Sequence, residues 1–430
     1  MGLRHPDRLP SLLYATEQGE ICDLPELGMA GRSGRDFQTP DLSSLIPLPE
    51  GSELFLLDQR LPVGYDPASR EFLKVEEDPE QPGRQVRAVA AFMAPAHTAI
   101  HLAAFEKSTE KIKPLPLFAY TAVGWYKEQF WVSAFRSDAD RRQEPNRFGA
   151  GKIRKATNRR LKEFPSNRLI QHLGKCSLTY GCPAAVNYFM DSWEAPLPTS
   201  PACNAACLGC ISLQPSGCCP STQERIKFVP TAEEITEVAV PHLERVKHGV
   251  VSFGQGCEGE PLLQAETIEK AIRLIRSRTD RGTVNLNSNS SLPAAVEKLV
   301  EAGLDSLRVS MNSAQIDYHS RYYQPKGFDF NSVKESIRAM KSAGRFVSLN
   351  YFVFPGFTDD PAEAGALHEL LAETGPDFIQ LRNLNMDPDW YLDDIGFKPT
   401  GPPLGIPAWL AQLKKAFPKL RLGYFNPPLR

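Results

Sequence analysis

Three thiols stand close together in Cys203-Asn204-Ala205-Ala206-Cys207-Leu208-Gly209-Cys210, at the spacing C-x3-C-x2-C. The N-terminal stretch MGLRHPDRLPSLLYATEQ lacks the apolar core of a signal peptide, so such close thiols predict a metal site rather than a disulfide framework. Thiolates are soft ligands, suited to zinc, copper(I) or iron–sulfur clusters. A structural zinc takes four protein ligands, and this loop offers three. A cubane cluster held by three cysteines keeps one iron open, and an open position is where chemistry happens. Further along, Ser252-Phe253-Gly254-Gln255-Gly256-Cys257-Glu258-Gly259-Glu260-Pro261 leaves a strand pattern, and its glycines allow backbone to approach a ligand closely.

These loops sit in a region where strands and helices alternate. Strands are predicted at 248–253, 283–287, 305–311, 346–353 and 377–382. Thr231-Ala232-Glu233-Glu234 reads as a capping box, and Asp360-Pro361-Ala362-Glu363 opens a helix with proline at its first position. Pro293 starts a helix that Gly303 ends, while Gly344 and Gly375 read as C-terminal stops. Alternation of this kind implies parallel pairing through right-handed crossovers. Ligands in parallel α/β sheets bind at the carboxyl ends of the strands, where all of these motifs fall.

The cysteine loop, the Gly259-Glu260-Pro261 segment after it and the run of βα units together resemble the radical S-adenosylmethionine (SAM) superfamily. The resemblance implies an α/β fold with a partial (β/α)6 barrel over residues 191–390, counting one strand ahead of Cys203, and a C-terminal extension over 391–430. It implies a 4Fe-4S cluster on Cys203, Cys207 and Cys210, whose fourth iron binds the amino and carboxylate groups of SAM. Gly259 and Glu260 match the family's Gly-Gly-Glu motif, where backbone carbonyls or the Glu260 carboxylate accept the SAM ammonium. Cys257 and Glu258 are two residues more than the simplest form of that motif carries. Ser288 after the third strand, with Ser310 and Asn312 after the fourth, is implied as a contact to ribose and carboxylate. Many members carry an aromatic residue before the third cysteine; this chain has Gly209 there, so Phe354 or Val353 is expected to take its place against the adenine.

The implied activity is reductive cleavage of SAM to a 5′-deoxyadenosyl radical that abstracts hydrogen from a small-molecule or peptide substrate. The electron would come from a donor such as flavodoxin or ferredoxin. Arg382, Asn383 and Asn385 are candidates for substrate recognition, with Arg382 pairing an acidic group; the other reading of this segment is a salt-bridged strand end against the N-terminal domain. Cys257 is either a hydrogen-atom donor or metal ligand near the site, or a small buried thiol. Two alternatives stay open: an RNA-modifying member of the same superfamily, and a non-catalytic scaffold whose cysteines hold zinc.

Residues 1–190 do not read as βα units. Aromatic and β-branched runs at 53–63, 87–94, 98–103 and 116–135 predict a mainly β or α+β domain. It ends in a basic segment with Lys152, Arg154, Lys155, Arg159, Arg160, Lys162 and Arg168, which either tracks RNA phosphates or forms a solvated helix face. Cys176, Cys182, Cys218 and Cys219 offer a second metal site or unpaired thiols. The formal net charge of -2 gives no global pull toward nucleic acid or acidic membranes. No run of about eighteen apolar residues is present, so no membrane span is expected. Nine cysteines, an odd number, fit a reducing cytoplasm.

Overall fold

The computed structural model describes residues 5–142, 144, 147–214, 219 and 221–430. The chain divides into two units. One comprises Met1–Ala139, Phe352–His368 and Leu381–Pro418; the other comprises Asp140–Tyr351, Glu369–Gln380 and Lys419–Arg430. These limits do not follow the linear boundaries read from the sequence, because the chain crosses between the units more than once.

The first unit is built on an eleven-stranded antiparallel sheet, with a three-stranded sheet beside it. Leu13, Ala15, Val89, Ala91, Val123 and Val132 form part of its core. The run 53–63 is two strands, Glu53–Leu57 and Arg60–Asp66, and 116–135 contains two more, Val123–Tyr126 and Gln129–Arg136. The pair Val123–Tyr126 and Gln129–Arg136 forms a hairpin that turns at Lys127 and Glu128, both at positive φ. Two positive-φ residues in a two-residue turn match strand twist, but the usual Asn-Gly signal is missing, which is why the sequence reads as one strand. Buried Arg60 pairs with Asp387 at 2.6 Å, and the same carboxylate accepts the Leu115 amide.

The second unit carries a parallel sheet in strictly sequential order: Glu194–Pro196, Val250–Phe253, Thr283–Ser288, Ser306–Met311, Phe346–Val353, Phe378–Asn383 and Arg421–Gly423. The helices between them begin and end where the sequence indicates. Thr231 and Glu234 form a reciprocal capping box on Ala232–Arg245. Pro293 opens the helix Pro293–Ala302, which stops at left-handed Gly303.

The seventh strand, Arg421–Gly423, adds to the six expected, so part of the C-terminal extension belongs to the sheet. The first and last strands are not neighbours in the sheet. The segment after the last strand reaches back instead: Asn426 Nδ2 donates to Glu194 Oε1 of the first strand at 2.8 Å, and Leu429 N donates to Thr283 Oγ1 of the third at 2.7 Å.

One buried acid ties this end of the sheet together. Asp305 accepts the Val284 amide, pairs with Arg276 and pairs with Arg430 at 2.7 Å. Arg276 is largely buried, whereas Arg430 is partly exposed. Asp305→Ala should therefore cost about 3–5 kcal/mol, because it removes the counter-charge of a largely buried guanidinium and the acceptor of the Val284 amide. Arg430→Ala should cost about 1 kcal/mol or less. Urea unfolding of both variants checks the contrast; equal losses would contradict it.

Candidate active site

Alternation along the parallel strands gives the sheet two unlike faces. Val251, Phe253, Val284, Leu286, Leu307 and Val309 form the apolar one. Ser252, Asn285, Asn287, Ser306, Arg308 and Ser310 lie on the other, in register across three strands. Ser306 Oγ donates to Asn285 Oδ1 at 2.7 Å, Asn285 Nδ2 to Ser252 Oγ at 3.1 Å, and Gln380 Nε2 to Asn426 Oδ1 at 2.8 Å. Arg308 Nη1 joins this network at Gln380 Oε1, 3.3 Å away. A hydrogen-bonded polar interior of this kind is paid for only where partners are supplied throughout.

At the carboxyl ends of the strands this face opens into a cavity of about 220 Å³. Cys203, Cys207 and Cys210 all line it, together with Gly259, Glu260, Ser288 and Ser310. The cysteine loop is pinned by backbone: Ala206 N donates to Tyr323 O at 2.9 Å and Leu208 N to Tyr322 O at 3.0 Å. Gly259 N donates to Ser200 O at 2.7 Å, and Glu260 N to Ala202 O at 2.8 Å. A Cβ on Gly259 would lie 1.9 Å from the Ala202 carbonyl oxygen. Only glycine permits that approach.

Two buried carboxylates hold the surrounding loops. Glu258 accepts the amides of Thr199 and Ser200 at 2.7 and 2.9 Å and that of Gln255 at 2.7 Å. Glu260 accepts Ser288 Oγ at 2.6 Å and the amides of Asn289 and Leu262 at 2.9 and 3.0 Å. Burial pushes both carboxyl groups up to about 7, against the pull of those donors. Burial also raises the thiols of Cys203 and Cys207. Arg225 meets the third, with Nη2 3.5 Å from Cys210 Sγ.

The predicted residues fall into groups. The three cysteines, Gly259, Glu260, Ser288 and Ser310 converge on the cavity. Asn312 does not line it; its side-chain amide donates to Tyr318 O at 3.2 Å in the turn after the strand. Phe354 belongs to the first unit, where its buried ring packs against Phe357 and Tyr391. Arg382, Asn383 and Asn385 also belong to the first unit. There Asn383 accepts the Ala99 amide at 2.9 Å and donates to His97 O at 3.1 Å, so its amide serves to tie backbone together. Arg382 is half-buried and Asn385 exposed.

Cys257 is buried beside Cys176, and its thiol hydrogen bond lowers the Cys176 pKa while its own is raised. Cys182 packs against this pair, Cys219 is buried and Cys218 lies outside the described residues. No disulfide joins any two of the eight described cysteines.

Sequence reasoning missed Glu258, Arg225, Arg308 and Tyr323. Glu258 was visible as an extra residue in the glycine-rich segment, and Arg308 as a charge inside a strand. The basic segment forms the helices Ala150–Glu163 and Arg168–Thr179. Arg160 is buried against Asp191, and Arg168 pairs with Glu234 at 2.7 Å, so neither is free for phosphate.

Residues 197–366 match the family model described as the Radical SAM superfamily. The FeMo cofactor biosynthesis protein NifB of Klebsiella pneumoniae is 23% identical over 177 residues, 38% of this chain and 37% of that protein. The GTP 3′,8-cyclase of Lactiplantibacillus plantarum is 27% identical over 161 residues, 37% of this chain and 45% of that protein. The chain thus aligns with less than half the length of either relative. Methylornithine synthase is similar in structure at 15% identity and a TM-score of 0.38, covering 64% of this chain and 75% of that one. No helix among the described residues is long and apolar enough to cross a membrane.

The donor set fits an iron–sulfur cluster: three soft thiols face one cavity, and an arginine stands by to balance thiolate charge. Gly259→Ala must displace the loop that carries Cys203. Retention of reconstituted iron should weaken about ten-fold, with helix content by circular dichroism unchanged. Full iron retention would show that the close backbone approach is dispensable.

Proposed function

We propose that this chain is a radical SAM enzyme, a reading that the match of residues 197–366 to the Radical SAM superfamily model supports. The observation that carries the reading is the convergence of Cys203, Cys207 and Cys210 on one cavity at the carboxyl ends of a parallel sheet. These three thiols would hold a 4Fe-4S cluster, with Gly259, Glu260, Ser288 and Ser310 beside the SAM that binds it. The chemistry that such a cluster would supply, given an electron from a donor of the flavodoxin or ferredoxin type, is reductive cleavage of SAM to methionine and a 5′-deoxyadenosyl radical.

The chain's own part is positioning and exclusion of water. Arg225 places a positive charge 3.5 Å from Cys210 Sγ, which favours the thiolate as ligand. Glu258 and Glu260 are occupied by protein donors, so they fix loops rather than offer free charge. Backbone carbonyls of the Gly254–Pro261 segment are then the better acceptors for the SAM ammonium. The polar sheet face below, with Arg308 and Ser310 at its upper end, suits a small polar molecule or a peptide backbone as substrate. A reducing cytoplasm is the setting in which these thiols stay available.

Cys203→Ala should lose the visible iron–sulfur absorbance and the formation of 5′-deoxyadenosine from SAM under reductant. Retention of either in the anaerobically reconstituted variant would contradict the reading. Arg225→Gln tests the charge at the cluster. It should keep the iron but shift the midpoint potential to more negative values, because a cation that favours the reduced form is gone. An unchanged potential would remove Arg225 from the site's electrostatics.

A further inference from the structure

A second group of metal-ligating side chains lies beside the cavity and outside it. His172 and Cys176 stand four residues apart on the helix Arg168–Thr179, a spacing that places both on one face. Cys257 meets them from the glycine-rich segment. The ligating atoms of all three lie within 4.8 Å of one another, and His172 Nε2 is 3.6 Å from Cys176 Sγ. Cys176 and Cys257 are buried, at 2% and 4% exposure, and His172 is half-buried.

We propose that His172, Cys176 and Cys257 form a second metal site that binds one zinc-like divalent ion. Packing explains a buried cysteine; an imidazole nitrogen within 4.8 Å of two sulfurs adds the third donor that a metal site needs. The spread of the three atoms favours a single ion. Ligands about 2.0–2.3 Å from one tetrahedral zinc stand roughly 3.5–4 Å from each other. A cubane holds its thiolates on separate irons and sets them farther apart. One imidazole with two thiolates is a donor set for zinc or cobalt(II), not for magnesium or calcium.

Three protein ligands leave one position for water. His172 also borders a cavity of about 400 Å³, shared with Lys175, Glu224, Arg225 and Lys227. The set differs from the one expected from cysteine spacing. Of Cys176, Cys182, Cys218 and Cys219, only Cys176 belongs to the trio.

The site bears on the first one. Gly256 and Glu258, the neighbours of Cys257, both line the thiol cavity. An ion on Cys257 would hold the middle of that segment from its far side. A ligated Cys257 is also unavailable as a hydrogen-atom donor.

The test uses the full chain with Cys203, Cys207 and Cys210 all changed to alanine, so that the first site cannot hold metal. Elemental analysis should find roughly one zinc per chain. Cobalt(II) in its place should give thiolate charge-transfer and tetrahedral ligand-field bands. Adding His172→Ala or Cys176→Ser should abolish both signals, and Cys22→Ser, in the other unit, should leave them unchanged. Absence of stoichiometric metal in the folded triple variant would overturn the proposal, as would metal that survives both substitutions. If the triple variant does not fold, the wild-type chain with its cluster reconstituted decides: elemental analysis should find roughly one zinc per chain beside the iron, lost in Cys176→Ser. No zinc, or a zinc content unchanged by Cys176→Ser, would reject the site.

Discussion

Glu258 is the fixed point around which the site is arranged. Its carboxylate is met by three backbone amides, two from the segment that leads into the cysteine loop and one from its own turn. A buried charge satisfied by backbone cannot move without leaving those amides unpaired, at a cost of about 1–3 kcal/mol for each. The Thr199–Ser200 backbone is thereby locked to the end of the Val250–Phe253 strand. Gly259 then docks on Ala202 with no room for a side chain. Those two contacts set where Cys203 starts, and the amides of Ala206 and Leu208 set where the loop turns back.

The polar face of the sheet follows a different logic. Parallel strands covered on both sides usually carry apolar residues on both faces. Here one face is apolar and the other bears serine, asparagine, glutamine and arginine, linked into a network that reaches Glu194 and Asn426. The network also does what strand pairing does not, since it joins the first strand to the chain that follows the last. A sheet fastened by side chains can hold its shape while leaving the upper end of its polar face open to the cavity.

Much of this was legible because the signals are local. The thiol spacing, the capping box at Thr231, Pro293 and Gly303 each act within a few residues, and each element appears where its signal predicts. The hairpin at Lys127-Glu128 was not legible, because its positive-φ turn is made by residues that carry no turn signature. The bonds that the Asn383 amide makes to Ala99 and His97 are likewise ones no short-range pattern could reveal. Glu258 was noticed only as a surplus residue, since its role depends on amides more than fifty positions away.

The same distinction bears on the flanking thiols. Cys176 and Cys182 are close in sequence, yet the partner that completes a ligand set around Cys176 is Cys257, delivered by the fold. Cys257 is an extra residue in the motif, and so is Glu258. One faces away from the thiol cavity toward His172, while the other borders that cavity and clamps the loop above it. The turn closed by Glu258 N on Gln255 O carries the two side chains to different sides. Two residues added to the short motif therefore place a ligand on one side of the segment and an anchor on the other. An insertion that disturbs a motif's register in the sequence is, in the folded chain, what stiffens it.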